Sequence, residues 1–373
     1  MKREIIHATI LVVYVGLVAY VGLVGCVSGL RAQEAQSGFT LSGTVSEVTA
    51  YSHQLSAPPR DGSPLNAGFR AVLYPTWKLS DHWTVSATIQ AYSRPYFYEQ
   101  FSTQGYGLKT DVLQANLGYS QFWNDGSLVV RAGELSSAFG SFLLRYDDAV
   151  NPLIDKPMSY GYYYQGVSVL GLAGAQVDVA LHKFDMRAQF TNSSPANRRS
   201  IFDNGQYGDW AGGVGYTFMQ GLRVGASTYR GPYLDFEFPY YFPGEANPHV
   251  LPATAVGVDV EWGRGPWNVN GEWQRFQNDY HVIPNYIQQV GYVEARRTLN
   301  PRWYAAARIG TLRPVGYPDH QSYEFAVAYR PARFELVKLD YEILQGTLYR
   351  GTLGNTLAIQ FVTTFGPLSM AAK

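Results

Sequence analysis

The sequence predicts an all-β fold, a transmembrane antiparallel β-barrel of about sixteen strands. The first observation is the composition: only 16% of the 373 residues are charged while 15% are aromatic, including 29 tyrosines. The second is a strict alternation of apolar and polar residues, which is the period of a strand with two different faces. The third is the regular alternation of short turns with long loops. Together they favour a barrel that turns only one strand face towards lipid.

The first 32 residues are predicted to be a secretory signal that precedes the fold. Lys2 and Arg3 come before a long apolar stretch, and we place the cleavage position after Ala32. Two alternatives stay open: the segment ending at Cys26 resembles a lipoprotein signal with an acylated cysteine, and the apolar stretch is long enough to remain as an anchor. Cys26 is the only cysteine of the chain, so no disulfide is expected in the barrel.

Residues 33–365 are predicted to form the barrel. In one segment Val256, Val258 and Val260 share a face, opposite Gly257 and Asp259. One face is therefore apolar and the other carries glycine and charge, as expected when lipid lies outside and water inside. The same alternation recurs in four other segments: Trp267 to Gln274, Tyr323 to Arg330, Val337 to Ile343 and Leu357 to Phe365. No apolar run after residue 30 approaches the ~18 residues that a spanning helix needs.

The connections fall into two classes that alternate along the chain. The short ones lie at 79–81, 124–126, 181–184, 219–221, 263–265, 300–301 and 331–332, and several contain Gly, Asn or Pro, which suit tight turns. The long ones lie at about 52–66, 95–109, 136–163, 193–206, 231–252, 277–286, 313–320 and 346–353. Seven turns and eight loops join sixteen strands. Fourteen and eighteen strands are the alternatives, because residues 164–184 fit either one long strand or a bent pair.

An even number of strands returns both chain ends to the same side, and short turns belong on the periplasmic side of such barrels. Residues 366–373 are therefore predicted to be a short periplasmic tail. Tryptophans are concentrated near the short turns, as in an aromatic girdle at the membrane surface. Six of the eight tryptophans lie within a few residues of a short turn: Trp77, Trp83, Trp123, Trp262, Trp267 and Trp303. A soluble β-sandwich with aromatic ends is the alternative, although it would not require turns and loops to segregate.

The alternation also assigns charged side chains to the inner face, where they become candidates for lining a pore. This set mixes both signs, so no ring of one sign is expected to select ions by its field. Simple cross-strand pairing is the alternative role for each member. The candidates are Arg131, Arg187, Arg223, Asp259, Glu261, Glu272, Glu294, Arg296, Arg308, Glu324, Arg330, Lys338, Asp340 and Glu342.

Several short motifs resemble those of Gram-negative porins, especially porin-like proteins related to the phosphate-selective type. They are Val130 to Glu134, Ala138 to Phe142, Asn151-Pro152 and Gln189 to Pro195. In that family a strand ends in an arginine-glycine pair, and a phenylalanine-glycine segment then enters a long third loop. The final strand, which closes on Phe365, also resembles the recognition signal of outer-membrane barrels. Because the expected arginine ladder and lysine cluster are missing, phosphate specificity is not carried over.

The resemblance implies a protein of the bacterial outer membrane that works passively, with lipid around it and a homotrimer as its expected assembly. We expect diffusion of small hydrophilic solutes or ions through a mixed-charge pore. The third loop, about 136–163, is the best candidate for a constriction. Its charged candidates are Arg145, Asp147, Asp148, Asp155 and Lys156. The following tyrosines could offer a stacking surface for sugars or pack the loop against the wall.

Two other functions stay open. The long loops could plug the barrel and make it a closed structural or adhesive protein. A surface enzyme on the barrel rim is the third hypothesis, with Asp279, His281, Asp319 and His320 as its candidates. We expect no enzyme, no cofactor and no metal, because neither an HExxH motif nor cysteine spacing is present. Nucleic-acid binding is not expected either, because 29 basic residues balance 29 acidic ones without a basic cluster.

Overall fold

A computed structural model describes residues 38–52, 63–94, 96, 107–160, 170–192, 208–232, 252–282, 284–346 and 354–371. The predicted signal over 1–32, including Cys26, lies outside these ranges. The strands are β1 Gly38–Tyr51, β2 Leu65–Lys78, β3 Trp83–Arg94, β4 Gly107–Trp123, β5 Gly126–Leu135, β6 Leu172–Leu181, β7 Phe184–Asn192, β8 Gly208–Met219, β9 Leu222–Pro232, β10 Pro252–Arg264, β11 Trp267–Asn278, β12 Tyr286–Asn300, β13 Trp303–Pro314, β14 His320–Tyr329, β15 Glu335–Gln345 and β16 Asn355–Ala371.

These sixteen strands form one closed barrel, which confirms the predicted fold class and strand number. Every strand pairs antiparallel with its neighbours in sequence, and β1 pairs with β16 to close the sheet. Closure leaves no sheet edge with unpaired backbone groups, which is the condition for crossing a bilayer with strands. No helix within the described ranges has the length and apolar character needed to cross a membrane.

The two strand faces have different surroundings. On β10, Val256 and Val258 are 44% and 49% exposed, whereas Asp259 between Val258 and Val260 is 4% exposed. Apolar side chains therefore point outwards and polar ones inwards, following the alternation in the sequence. Five of the six tryptophans near the short turns are exposed on the outer surface: Trp77, Trp83, Trp123, Trp267 and Trp303.

Two boundaries differ from the prediction. β16 continues past Phe365 to Ala371, so most of the predicted tail 366–373 is strand. Pairing with β1 continues because the register shifts between Leu41 and Gly43, which absorbs the irregularity next to Gly366. β6 begins at Leu172, whereas the third loop was predicted to end at about residue 163. The described part of the ambiguous region, from residue 170 onwards, contains β6 and a tight turn to β7, with His182 at a φ of 55°.

The apolar core lies inside the barrel, where the segment after β5 packs against the inner wall. Phe139 is completely buried, and its ring centroid lies 5.9 Å from that of Phe276 on β11. Leu153 packs with Tyr304 and Leu336 in a second cluster. Inner-face positions opposite the segment are therefore small or apolar at several points, although the inner face as a whole is polar. Where the segment after β5 packs against the wall in this way, it fills the barrel interior.

Candidate functional site

The third loop (residues 136–160) enters the barrel directly after β5 and is bonded to the wall from its first residues. The Ala138 N–H donates to Gln189 Oε1 at 2.9 Å, and the Gly140 N–H donates to Ser227 Oγ at 3.2 Å. Arg187 Nη2 donates to the Gly140 carbonyl at 2.6 Å. The phenylalanine-glycine segment that resembled porins is thus an attachment point to β7 and β9. Phe139 anchors it by packing, and the backbone polar groups are satisfied by the wall.

A second attachment joins both ends of the loop to Glu272 on β11. The Ser141 N–H donates to Glu272 Oε1 at 3.1 Å, and the Tyr160 hydroxyl donates to Glu272 Oε2 at 2.7 Å. Burial, together with the neighbouring Glu272 carboxylate, raises the pKa of Tyr160 well above its usual value, so its hydroxyl remains a donor. Gly140 lies beside this group with a φ of +80°, and a Cβ there would meet the Tyr160 hydroxyl and Glu272. Only glycine fits without displacing them.

Arg308 on β13 forms the third attachment. Its guanidinium pairs with Glu294 at 2.6 Å and with Glu324 at 2.7 Å, and all three side chains are almost completely buried. The same guanidinium donates to the Asp155 carbonyl at 2.9 Å and to Asn151 Oδ1 at 3.1 Å. Charge-assisted bonds of this kind are strong in a buried site, and removing one partner leaves the others uncompensated. The group therefore holds the loop against β12–β14.

The middle of the loop is attached to β15, β1 and β2. Lys338 Nζ donates to the carbonyls of Asp148, Asn151 and Leu153 at 2.6, 2.7 and 3.0 Å. Arg70 on β2 forms an ion pair with Asp148 at 3.2 Å. All three donors of the ammonium are thereby used on the loop backbone. The loop crosses from β5 along the inner wall of β9–β15 and reaches β1 and β2.

The constriction-loop candidates have separate roles in this attachment. Asp148 is paired with Arg70, and the Asp155 N–H donates to Glu324 Oε1 at 3.1 Å. Arg145 Nη2 donates to the Tyr292 hydroxyl at 2.7 Å. Asp147 accepts a hydrogen bond from the Tyr74 hydroxyl, and Lys156 is half-buried. Arg145, Asp147, Asp148 and Asp155 thus contact the barrel wall.

An open part of the interior lies between the third loop and the wall of β3–β7. It is a cavity of about 570 Å³ lined by β3–β7 and by the beginning of the loop. The wall contributes mainly hydroxyl, amide and charged groups, namely Ser86, Gln114, Asn116, Ser127, Arg131, Gln176, Asp178, Asp185 and Arg187. The loop contributes Ser136, Ser137, Gly140, Leu143 and Leu144. Leu144 is 72% exposed, so an apolar side chain projects into this polar space.

The charges of the cavity wall are balanced. Arg131 and Asp178 form an ion pair at 2.5 Å, and both remain more than a quarter exposed. Arg223 pairs with Asp185 and with Asp259, each at 2.6 Å. Arg187 contacts the cavity and is bonded to the loop carbonyl of Gly140. The wall therefore presents alternating signs close together, which lowers the net field at the opening.

The predicted pore-lining residues fall into three groups. Arg131 and Arg187 line the open cavity, and Arg223 lies beside it. Glu261 is half-buried, while Arg296 and Arg330 lie near Tyr304 at the periplasmic end. Eight others are at most 5% exposed: Asp259, Glu272, Glu294, Arg308, Glu324, Lys338, Asp340 and Glu342. These eight lie on the inner face, where neighbouring side chains and the loop cover them. That they line a pore stays a prediction.

Several residues that hold the third loop were not predicted from the sequence. Arg70 is 1% exposed and follows the outward-facing Phe69, so alternation alone would have placed it inside. Gln189 and Ser227 are uncharged, and inner-face amides and hydroxyls carry no signal that distinguishes a loop contact from solvent contact. Asp178 and Asp185 of the cavity wall also follow the alternation. No group of three His, Cys, Asp or Glu side chains with metal-binding geometry occurs in the described part of the chain.

Two of the rim residues predicted for a surface enzyme, Asp279 and Asp319, contact residues close to them in sequence. Asp279 accepts hydrogen bonds from Gln277 at 3.1 Å and from Asn285 at 3.0 Å. Asp319 forms an ion pair with Arg313 at 3.5 Å. His320 is 1% exposed at the start of β14. The contacts of Asp279 and Asp319 hold these two side chains within their own loops.

Comparison with protein-family models and with curated proteins finds no match. Solved structures do match. The outer-membrane channel DcaP of Acinetobacter baumannii is 12% identical with a TM-score of 0.60, covering 90% of this chain and 100% of that one. Salmonella typhi OmpF in complex with daunomycin is 11% identical with a TM-score of 0.59, covering 88% and 98%. The trimer form of OmpT from Vibrio cholerae is 13% identical with a TM-score of 0.55, covering 89% and 100%.

This chain has the fold of the outer-membrane porins. Closed barrels with an apolar outer surface belong to the outer membrane of Gram-negative bacteria. The sixteen-stranded barrel of this chain therefore places it in that membrane. The likeness covers nearly the whole chain but rests on fold, since the identities are low. The narrower resemblance to the phosphate-selective type stays a prediction, and so does the homotrimer.

Proposed function

We propose that this chain is a diffusion porin for small polar solutes, which pass between the third loop and the wall of β3–β7. The observation that carries the proposal is the polar cavity of about 570 Å³ on that side of the barrel. On the other side the loop is bonded to β9 and to β11–β15. An eccentric opening beside a fixed loop supports passage, because the loop narrows the lumen without needing to move.

The charges of the opening support weak ion selectivity. Two arginines and two aspartates line the cavity: Arg131, Arg187, Asp178 and Asp185. Paired opposite charges attract polar and zwitterionic solutes through their dipoles, while neither sign of ion is strongly favoured. Leu144 adds an apolar contact, which suits solutes that carry both hydroxyl groups and a hydrocarbon face. Catalysis forms no part of this proposal.

Planar-bilayer conductance tests the proposal. We expect stepwise insertion of open channels, and a smaller conductance for Leu144→Trp, because the larger ring would occupy the opening. Val150→Trp is the matched control, since Val150 is an exposed loop residue that does not line the cavity. Folded protein that inserts but passes no current would contradict the proposal and favour the closed structural barrel. Equal conductance of both variants and wild type would place the pathway elsewhere.

A further inference from the structure

The outer surface carries an apolar groove that the pore does not use. It has a volume of about 570 Å³ and lies over β11–β16, on the side that faces the membrane. Its outward-facing lining includes the small residues Ala295, Ala305 and Ala307 and the larger residues Trp267, Phe325 and Leu339. One end lies near the short turns, which places that end in the periplasmic leaflet.

The groove arises from small residues placed together by the strand register. Ala295 on β12 pairs with Ala307 on β13, and Ala305 lies two residues away on the same face. The surrounding outward side chains are much larger; Phe325 and Leu339, for example, are 51% and 53% exposed. Alanines among large neighbours leave a furrow in a surface that meets lipid chains. A furrow in contact with hydrocarbon is filled by hydrocarbon, because an empty one forfeits dispersion contacts.

Arg297 lines the periplasmic end of this groove, and Arg264 lies beside that end on β10. Trp267 pairs with Arg264 on one side and with Arg297 on the other, so the three side chains are neighbours on the outer face. The Arg297 guanidinium lies 5.2 Å from the centre of the Trp267 indole. The row continues from Arg297 to Ala305 and then Val327. The positively charged side chains of Arg264 and Arg297 are thus close to the end of the groove where its apolar lining begins.

The rim around these arginines is basic over one half of the barrel. The turns at 263–266, 300–302 and 330–334 contain Arg264, Arg302, Arg330 and Arg333 and no acidic residue. The turns of the other half contain Asp81, Asp125 and Lys183. Within the described ranges, no carboxylate lies at ion-pair distance from Arg264, Arg297, Arg302 or Arg333. This excess of positive charge attracts an anionic partner at the membrane surface.

We propose that the groove binds one acyl chain of an anionic glycerophospholipid of the periplasmic leaflet, with its phosphate between Arg264 and Arg297. Charge complementarity selects this occupant: the phosphate meets the two arginines, and the chain follows the alanine floor towards Tyr341 and Leu357. The indole of Trp267 lies at the depth where headgroup and hydrocarbon meet. A zwitterionic lipid has the same chains but no net negative charge, so it binds more weakly.

Native mass spectrometry of the purified barrel tests the lipid preference. The probes are phosphatidylglycerol and phosphatidylcholine with identical chains. We expect retained phosphatidylglycerol on wild type and about fivefold weaker retention for each of Arg264→Gln and Arg297→Gln, which is about 1 kcal/mol per arginine. Lys183→Gln, at a turn on the opposite half, is the matched control and should bind as wild type does. Equal retention by all four proteins would overturn the proposal.

Filling the groove tests the acyl-chain site separately. Ala307→Phe should weaken phosphatidylglycerol retention, whereas Ala188→Phe should not, since Ala188 is exposed on the outer face of β7 and lies away from the groove. Heat-modifiable mobility on gels checks that both variants are folded. Phosphatidylglycerol with brominated chains should quench a fluorescence component that is lost in Trp267→Phe. If Ala307→Cys instead cross-links two copies in membranes and no lipid is retained, a second copy covers the groove and the proposal fails.

Discussion

Lys338 Nζ on β15 donates to the carbonyl oxygen of Asn151 in the third loop at 2.7 Å, across 187 residues of sequence. The ammonium is completely buried, and its other two hydrogen bonds also go to the loop backbone. A charge in the wall thus replaces the water that would otherwise satisfy three carbonyl groups. The contact explains how a long loop keeps one path inside a barrel.

Replacing Lys338 by Met should release the middle of the loop. Three buried carbonyls would lose their donor, and we expect a loss of about 3 kcal/mol in the free energy of unfolding. Urea unfolding in lipid vesicles measures this, and limited proteolysis should cut the loop faster. Lys183→Met, at an exposed turn, is the control and should change neither. Unchanged stability of the Lys338 variant would show that the loop does not depend on this contact.

Arg308→Gln should destabilise the barrel by about 3–5 kcal/mol, because Glu294 and Glu324 would remain buried without their cation. Adding Glu324→Gln should recover part of the loss, since one uncompensated carboxylate disappears. A double-mutant cycle by urea unfolding gives the coupling energy. Strictly additive losses would contradict the buried ion-pair group.

Gly140→Ala should displace the beginning of the third loop. Its φ of +80° is unfavourable for alanine, and the new Cβ would also press on the Tyr160 hydroxyl and on Glu272. Gly316→Ala is a close control, with a φ of +84° and no atom within 4 Å of its Cβ position. Both should lose about 1 kcal/mol from backbone strain. Only Gly140→Ala should lose a further 1–3 kcal/mol, roughly, from overpacking and alter single-channel conductance. Equal effects would mean that the crowding is relieved cheaply.

Charge changes in the open cavity should move ion selectivity in opposite directions. Arg187→Glu should favour cations and Asp178→Asn should favour anions, because both side chains line the opening. Reversal potentials across a potassium chloride gradient measure the shift. Arg333→Glu changes an exposed turn outside the lumen and should leave the reversal potential near the wild-type value. A larger shift from Arg333 than from Arg187 would contradict the proposed pathway.

Much of the barrel could be predicted because its signals are local. Alternation with a period of two residues assigns each side chain to a face, as it did for Val258 and Asp259. Turn residues such as Gly221, at a φ of 85°, mark where strands end. The end of β16 could not be predicted in this way, because Gly366 and Pro367 end an alternating pattern while pairing with β1 continues to Ala371.

By itself, the sequence determined that the chain is a two-faced barrel and which charges point inwards, and it favoured sixteen strands over fourteen or eighteen. Only the tertiary structure decided which of those charges meet open space. Arg131 and Arg308 both occupy inner-face positions, yet one lines the cavity and the other is sealed against Asp155 and Asn151. The physical reason is the separation in sequence of the residues involved. The face to which a strand side chain points follows from its immediate neighbours, whereas the path of the third loop is set by contacts between residues more than a hundred positions apart.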